Sequence, residues 1–298
     1  MSPRGRWAPA VARARPARIV PSHVSQLGVD VLWLRTRGAG VTIAVIDSGV
    51  ARVGGAISNP WVKPLAADGT ETAFGDDDGH GTCCVSLIAS RAAAAPGLAP
   101  EANVLSYRAS TASGAIDVRK AEVALRDAIA RADVVSCSFV IPDAPASFLD
   151  LVRDAANAGV VLIAAAGNRD VVASSFPEQA TDAVVIAGVS RGLQPLPGAR
   201  RGPWIDVSGP GEGLPVLTRT GAISASFGQS SGACALVAGA CALALSLIPP
   251  ARRRRAARAL PGLLRSTARD LDPGGNDPAT GSGLVDAPRL AQALEAIP

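Results

Sequence analysis

Residues 228–239 read "GQSSGACALVAG", and the two adjacent serines in this stretch belong to two different folds. Taken as G-x-S-x-G, Gly228 to Gly232 is a nucleophile elbow with Ser230 at its tip, a turn whose partner histidine follows later in the chain. Taken one residue on, Ser231 opens a small-residue helix, and the same chemistry requires its Asp and His earlier. The chain has only two histidines, His23 and His80, both upstream of the serines. The elbow reading fails on that count. The order Asp, His, Ser remains, and it needs an Asp at a strand end before His80. Asp47 in "AVIDSGV" (44–50) supplies it.

Composition bounds the remaining readings. At 298 residues, with 48% hydrophobic and 18% charged residues, the chain is long and apolar enough to bury a large core without metal or disulfide staples. The net charge of +4 comes almost wholly from Arg, since Lys63 and Lys120 are the only lysines. Basic clusters at Arg252 to Arg255 with Arg258, and between Arg4 and Arg18, lack the interleaved aromatics or motifs of nucleic-acid binding. The first is read as a solvated helix face, and no nucleic-acid partner is expected. The five cysteines, Cys83, Cys84, Cys137, Cys234 and Cys241, have no C-x-x-C spacing and are read as mostly buried thiols in a reducing compartment. Arg and Pro interrupt every apolar run before residue 23, so no signal-peptide core is read and cytoplasmic residence is expected. Ala233 to Ile248 is apolar apart from Ser246, but its Ala and Gly content and the Pro249-Pro250 stop favour a core helix over a membrane span.

From residue 41 onward β-branched runs alternate with Ala-rich stretches. Strands are predicted at 41–47, 102–108, 132–140, 160–167 and 183–189, and helices at 118–132 and 147–159. The pattern predicts an α/β fold with a doubly wound, mostly parallel sheet and helices on both faces. Pro and Gly cluster at 191–215 and 273–283, read as a loop-rich connection and a turn before a final short helix. Residues 1–20, rich in Arg and Pro, are expected to form a flexible tail, and 21–298 a single catalytic domain.

Four blocks in order then carry a resemblance: "AVIDSGV", "DGHGTCCVSLIAS" (78–90), "AAAGN" (164–168) and "QSSGACALVAG" (229–239). They resemble the Asp, His, oxyanion and Ser blocks of the subtilisin-like serine proteases, over nearly everything from "VSQLGVDVLW" at 24 to "GSGLVDA" at 281. The resemblance implies a serine endopeptidase acting on a peptide or protein substrate. In it Ser231 is the nucleophile, His80 the general base and Asp47 its orienting partner, and the Asn168 side chain with the Ser231 amide forms the oxyanion hole. It also implies that "SCSFV" (136–140) pairs with an extended peptide, so that Ser138, Phe139 and Val140, with Ala165 and Gly167, bind substrate. Val140 stands where the family often has Gly, and its branched side chain is expected to restrict the residue before the cleaved bond to small or medium size. Cys84, four residues after His80, matches a free cysteine of the thiol-dependent branch, which implies sensitivity to mercurials.

Departures and rivals are also visible. The family's usual Gly-Thr-Ser reads Gln229-Ser230-Ser231, and Ala235 stands where Pro is common. "ASRAAAAPGLAP" (89–100) lacks Asn and Asp ligands for the family's calcium loop, and Asp76 to Asp78 are read as solvated, so neither metal nor cofactor is expected. A short leader leaves no folding propeptide in the sequence as given, which favours processing of a dedicated precursor. Two rivals use the same fold: a peptide ligase or macrocyclase, and a catalytically silent protein that binds peptides or a partner.

Overall fold

The computed structural model describes residues 20–111, 113–169, 174–271 and 275–297. The tail expected over residues 1–20 lies outside them apart from Val20. Seven strands form the central sheet: β1 (Thr42–Asp47), β2 (Val62–Ala66), β3 (Asn103–Arg108), β4 (Val134–Cys137), β5 (Val161–Ala165), β6 (Val184–Val189) and β7 (Val207–Pro210). Their order is β7-β6-β5-β4-β1-β3-β2, and every neighbouring pair is parallel.

Six helices build and support the site: α1 (His80–Ala89), α2 (Val118–Arg131), α3 (Ala146–Asn157), α4 (Gln229–Ser246), α5 (Pro250–Ala257) and α6 (Ala287–Glu295). Successive side chains of β1 point to opposite faces. Ile43 and Val45 join a core that includes Leu87 of α1 and Leu236 of α4. Ala44 and Ile46 join another with Leu125 of α2 and Phe148 of α3. The doubly wound architecture predicted from the sequence is the one found.

Helix α4 is buried on all sides from Gly232 to Leu245, which explains why its sequence carries no polar stripe. It is long and apolar enough to cross a membrane, and 83% of it lies buried inside the protein. Its small residues allow close approach to the sheet, down to contact between Gly209 of β7 and the Ala233 backbone.

Several expectations need correction. Strand β4 ends at Cys137 instead of running to Val140, so residues 138–140 leave the ladder before Ile141–Pro142 pairs with Ser175–Phe176. The connection read as loop over 191–215 contains β7 and opens the hairpin of β8 (Leu214–Leu217) and β9 (Ile223–Phe227). The Arg-rich helix α5 is not simply a solvated face. Arg253, buried, donates to the carbonyls of Gly40 and Ile248, Arg254 to Ile129, Arg258 to Asn157 and Arg252 to Ile297. Ile129 is in the last turn of α2 and Asn157 ends α3, while Ile248 and Ile297 lie just past α4 and α6. The guanidinium groups therefore satisfy carbonyls at the negative ends of four helices.

Candidate active site

Asp47 is the last residue of β1, at the carboxyl edge where open parallel sheets place their sites. Its carboxylate is buried, and Oδ1 accepts from the Ser48 N–H at 2.8 Å and from the Ser48 hydroxyl at 3.3 Å. His80 Nδ1 lies 2.9 Å from Oδ1 and 3.0 Å from Oδ2. Such contacts to a carboxylate require the proton on Nδ1, which leaves Nε2 as the free acceptor of the neutral ring. Burial of the ring opposes protonation, but the charge and hydrogen bond of Asp47 outweigh it and hold the His80 pKa above its ordinary value.

Helix α1 is anchored so that His80 meets this carboxylate. The Ser48 hydroxyl accepts from the Gly81 N–H at 2.9 Å. A Cβ at Gly81 would collide with the Gly49 carbonyl at 2.3 Å, so only glycine fits there. Asp76, expected to be solvated, is buried: Oδ1 accepts from the Gly79 N–H, and Oδ2 accepts from the N–H and hydroxyl of Thr82. It meets unpaired N–H groups of the first turn of α1, a role that adjacency to two other aspartates concealed. Cys84 Sγ sits 3.8 Å from His80 Nδ1, and burial pushes its thiol pKa up. Ligand atoms of Asp47, His80 and Cys84 lie within 4.8 Å of one another, a donor set suited to a soft cation.

Both serines enter the site, in different ways. Ser231 Oγ donates to the Ser138 carbonyl at 3.3 Å, and Ser138 Oγ donates back to the Ser231 carbonyl at 3.2 Å. The hydroxyl thus faces β4's exit segment and not His80. Ser230 turns inward: its N–H and hydroxyl donate to Asn168 Oδ1 at 3.0 and 2.8 Å, and its Oγ accepts from the Gly167 N–H at 3.1 Å. A backbone N–H can only donate, so the Asn168 oxygen must face Ser230 and its Nδ2 must face away. Of the first four N–H groups of α4, Gln229 donates to Gly211, Ser230 to Asn168 and Gly232 to Gly228. The Ser231 N–H and Asn168 Nδ2 have no protein acceptor among the described residues.

Gln229 adopts φ +57°, the left-handed conformation that glycine tolerates best. The turn is closely packed, since a Cβ on Gly188 or Gly211 would press on the Gln229 carbonyl at 2.9 or 2.8 Å. Its neighbours enclose a cavity of about 350 Å³ lined by all the residues expected to bind substrate, Ser138, Phe139, Val140, Ala165 and Gly167, together with Asn168, Arg169, Ser230 and Ser231. Ala235, where Pro was expected, is buried within an unbroken α4. The sequence reading missed Ser48, Asp76, Arg169 and Phe227, whose ring meets the His80 ring edge-on at 5.4 Å. Ser48 had a signal, since it directly follows the strand-end Asp. Phe227 had none.

A parallel sheet that gathers an Asp, a His and a Ser, in that chain order, at its carboxyl edge is the arrangement of subtilisin-type serine peptidases. The chain belongs to the subtilase family of serine endopeptidases: the model of that family, peptidase S8, matches residues 38–283. Mycosin-4 of Mycobacterium tuberculosis is 29% identical over 314 residues, covering 87% of this chain and 66% of mycosin-4. Subtilisin Savinase of Lederbergia lenta is 28% identical over 280 residues, covering 91% of this chain and 98% of Savinase. The crystal structure of MycP1 from Mycobacterium smegmatis superposes with a TM-score of 0.76 at 22% identity, covering 94% of this chain and 86% of MycP1. The likeness to MycP1 is one of fold.

Proposed function

We propose that this chain cleaves peptide bonds through an acyl-enzyme on Ser231, with His80 as base and acid, Asp47 as its orienting partner, and the Ser231 N–H with Asn168 Nδ2 as the oxyanion hole. The observation that carries the reading is that the Ser231 N–H and Asn168 Nδ2, two donors without a protein acceptor among the described residues, belong to residues lining one cavity, in a chain whose Asp47–His80 pair is already formed. A substrate N–H bound to the Ser138 carbonyl displaces the Ser231 hydroxyl, which turns to His80 Nε2. Ser231 Oγ then attacks the scissile carbonyl carbon and passes its proton to Nε2, while the carbonyl oxygen takes up negative charge between the two donors. The C–N bond breaks as His80 returns the proton to the leaving nitrogen. Water, deprotonated by His80, attacks the ester, and Ser231 leaves with its proton restored.

Val140 lines the cavity beside Ser231 and packs against Gly167, and its branched side chain, standing where the family often has glycine, favours small or medium residues before the cleaved bond. The test is labelling by a fluorophosphonate probe of wild type, Ser231→Ala and Ser230→Ala. Loss in Ser231→Ala alone supports the assignment. A folded wild type that never labels overturns it and leaves a peptide-binding role.

A further inference from the structure

Gln229 is one of three non-glycine residues with positive φ among the described residues, with Asp143 and Leu193, and it directly precedes the Ser230-Ser231 pair. Strained backbone of this kind concentrates at functional sites. Gly188 and Gly211 approach its carbonyl closely; glycine would occupy position 229 with less strain, and the family resemblance leads one to expect glycine there. What glutamine adds is a side chain, and its placement is informative.

Gln229 lines two cavities. One is the cavity beside Ser231 already described. The other, of about 210 Å³, is bounded by Leu196, Pro197, Gly211, Ser226 and Phe227. Phe227 touches the His80 ring, and His80 is the group that hands a proton to the departing nitrogen. Phe227 also lines the second cavity, which puts that cavity beside His80. Gln229 borders both the cavity beside Ser231 and the one beside Phe227. It is exposed, and its carboxamide forms no hydrogen bond to the described residues.

We propose that the Gln229 carboxamide hydrogen-bonds the substrate main chain just past the scissile bond and makes Gln229 a specificity-determining residue for the leaving-group side. The assignment rests on Ser231 as the nucleophile. It accounts for a side chain kept in a backbone conformation that disfavours side chains.

The test compares two substrates with the same acyl part, an internally quenched peptide extending three residues past the cleavage point and a p-nitrophenyl ester with no peptide there. For Gln229→Gly, the ratio of kcat/KM on the peptide to that on the ester falls about tenfold, the scale of one hydrogen bond, with the loss in KM. Gln229→Asn keeps the carboxamide, tolerates left-handed backbone and recovers part of the ratio. Thermal midpoints at or above wild type show that the glycine variant is folded. A ratio within twofold of wild type, or a parallel fall on both substrates, overturns the proposal. A wild type that fluorophosphonate does not label removes the Ser231 assignment and this proposal with it, whereas a labelled wild type with an unchanged ratio removes this proposal alone.

Discussion

Ser230 donates twice to one oxygen, Asn168 Oδ1, through its N–H and its hydroxyl. The first bond satisfies a helix-end donor of α4 and fixes which end of the Asn168 amide faces the cleft, and the second reinforces that orientation. In the proposed mechanism Ser230 thus works through Asn168. Ser230→Ala keeps the N–H contact and removes the hydroxyl, so the expected result is a roughly tenfold loss in kcat. Asn168→Ala removes the donor itself and is expected to cost roughly 10²- to 10³-fold in kcat. Steady-state kinetics of both variants check the order of these effects, and an equal loss in the two would place Ser230 in some other role.

The pH dependence of activity follows from His80. Its folded pKa is raised, despite burial, by Asp47, and in the proposed mechanism only the neutral ring can accept the Ser231 proton. Activity is therefore absent where His80 is protonated and appears as pH rises through its raised value, so the acidic limb of kcat/KM falls above the ordinary 6.5. Asp47→Asn removes the charge that raises the pKa, shifts that limb downward and lowers kcat by about 10⁴. A limb unmoved by the substitution would contradict the electrostatic account.

The side chain of Val140 in the cavity lining makes a prediction about substrates. Val140→Gly removes the branched side chain facing Gly167 and is expected to raise cleavage after Phe or Tyr by about tenfold, on the order of one or two buried methylenes. Profiling both proteins on one peptide library reads this directly, and efficient cleavage after Phe by wild type would refute the steric argument.

Acid stability depends on a residue far from the chemistry. Burial lowers the pKa of His23 to about 4, from 6.5, and the nearby Pro96 carbonyl offsets only part of that effect. Between those values the unfolded chain binds a proton that the folded chain refuses. His23 therefore adds no protonation penalty above pH 6.5 and a growing one as pH falls toward 4, about 3 kcal/mol in all. Chemical denaturation of wild type and His23→Leu at pH 7.5 and 4.5 measures this, and the variant should lose less stability on acidification.

How far the sequence was legible depended on whether residues answer to local rules. The five inner strands were readable because burial on both faces makes them continuous apolar runs. The two that escaped, β2 and β7, are the sheet's edges, and each contains a proline, Pro64 and Pro210, which an edge tolerates and a central strand does not. Asp47, His80, Asn168 and Ser231 were read from four sequence blocks in order; the structure brings Asp47 and His80 into contact and lines one cavity with Asn168 and Ser231, whose hydroxyl is bonded to the Ser138 carbonyl. Asp76 and Phe227 were not legible, since their partners come from turns and a hairpin that only the folded chain brings near.

The arginines of α5 reach carbonyls 45 to 213 residues away in sequence, apart from the local contact of Arg253 with Ile248. These contacts join segments far apart in sequence. Such long-range contacts are expected to form late, on the descent from the folding transition state. Arg254→Ala and Arg258→Ala are expected to leave the refolding rate nearly unchanged while accelerating unfolding several-fold in stopped-flow measurements. What this segment confers is persistence: it lengthens the time that a formed molecule survives before opening.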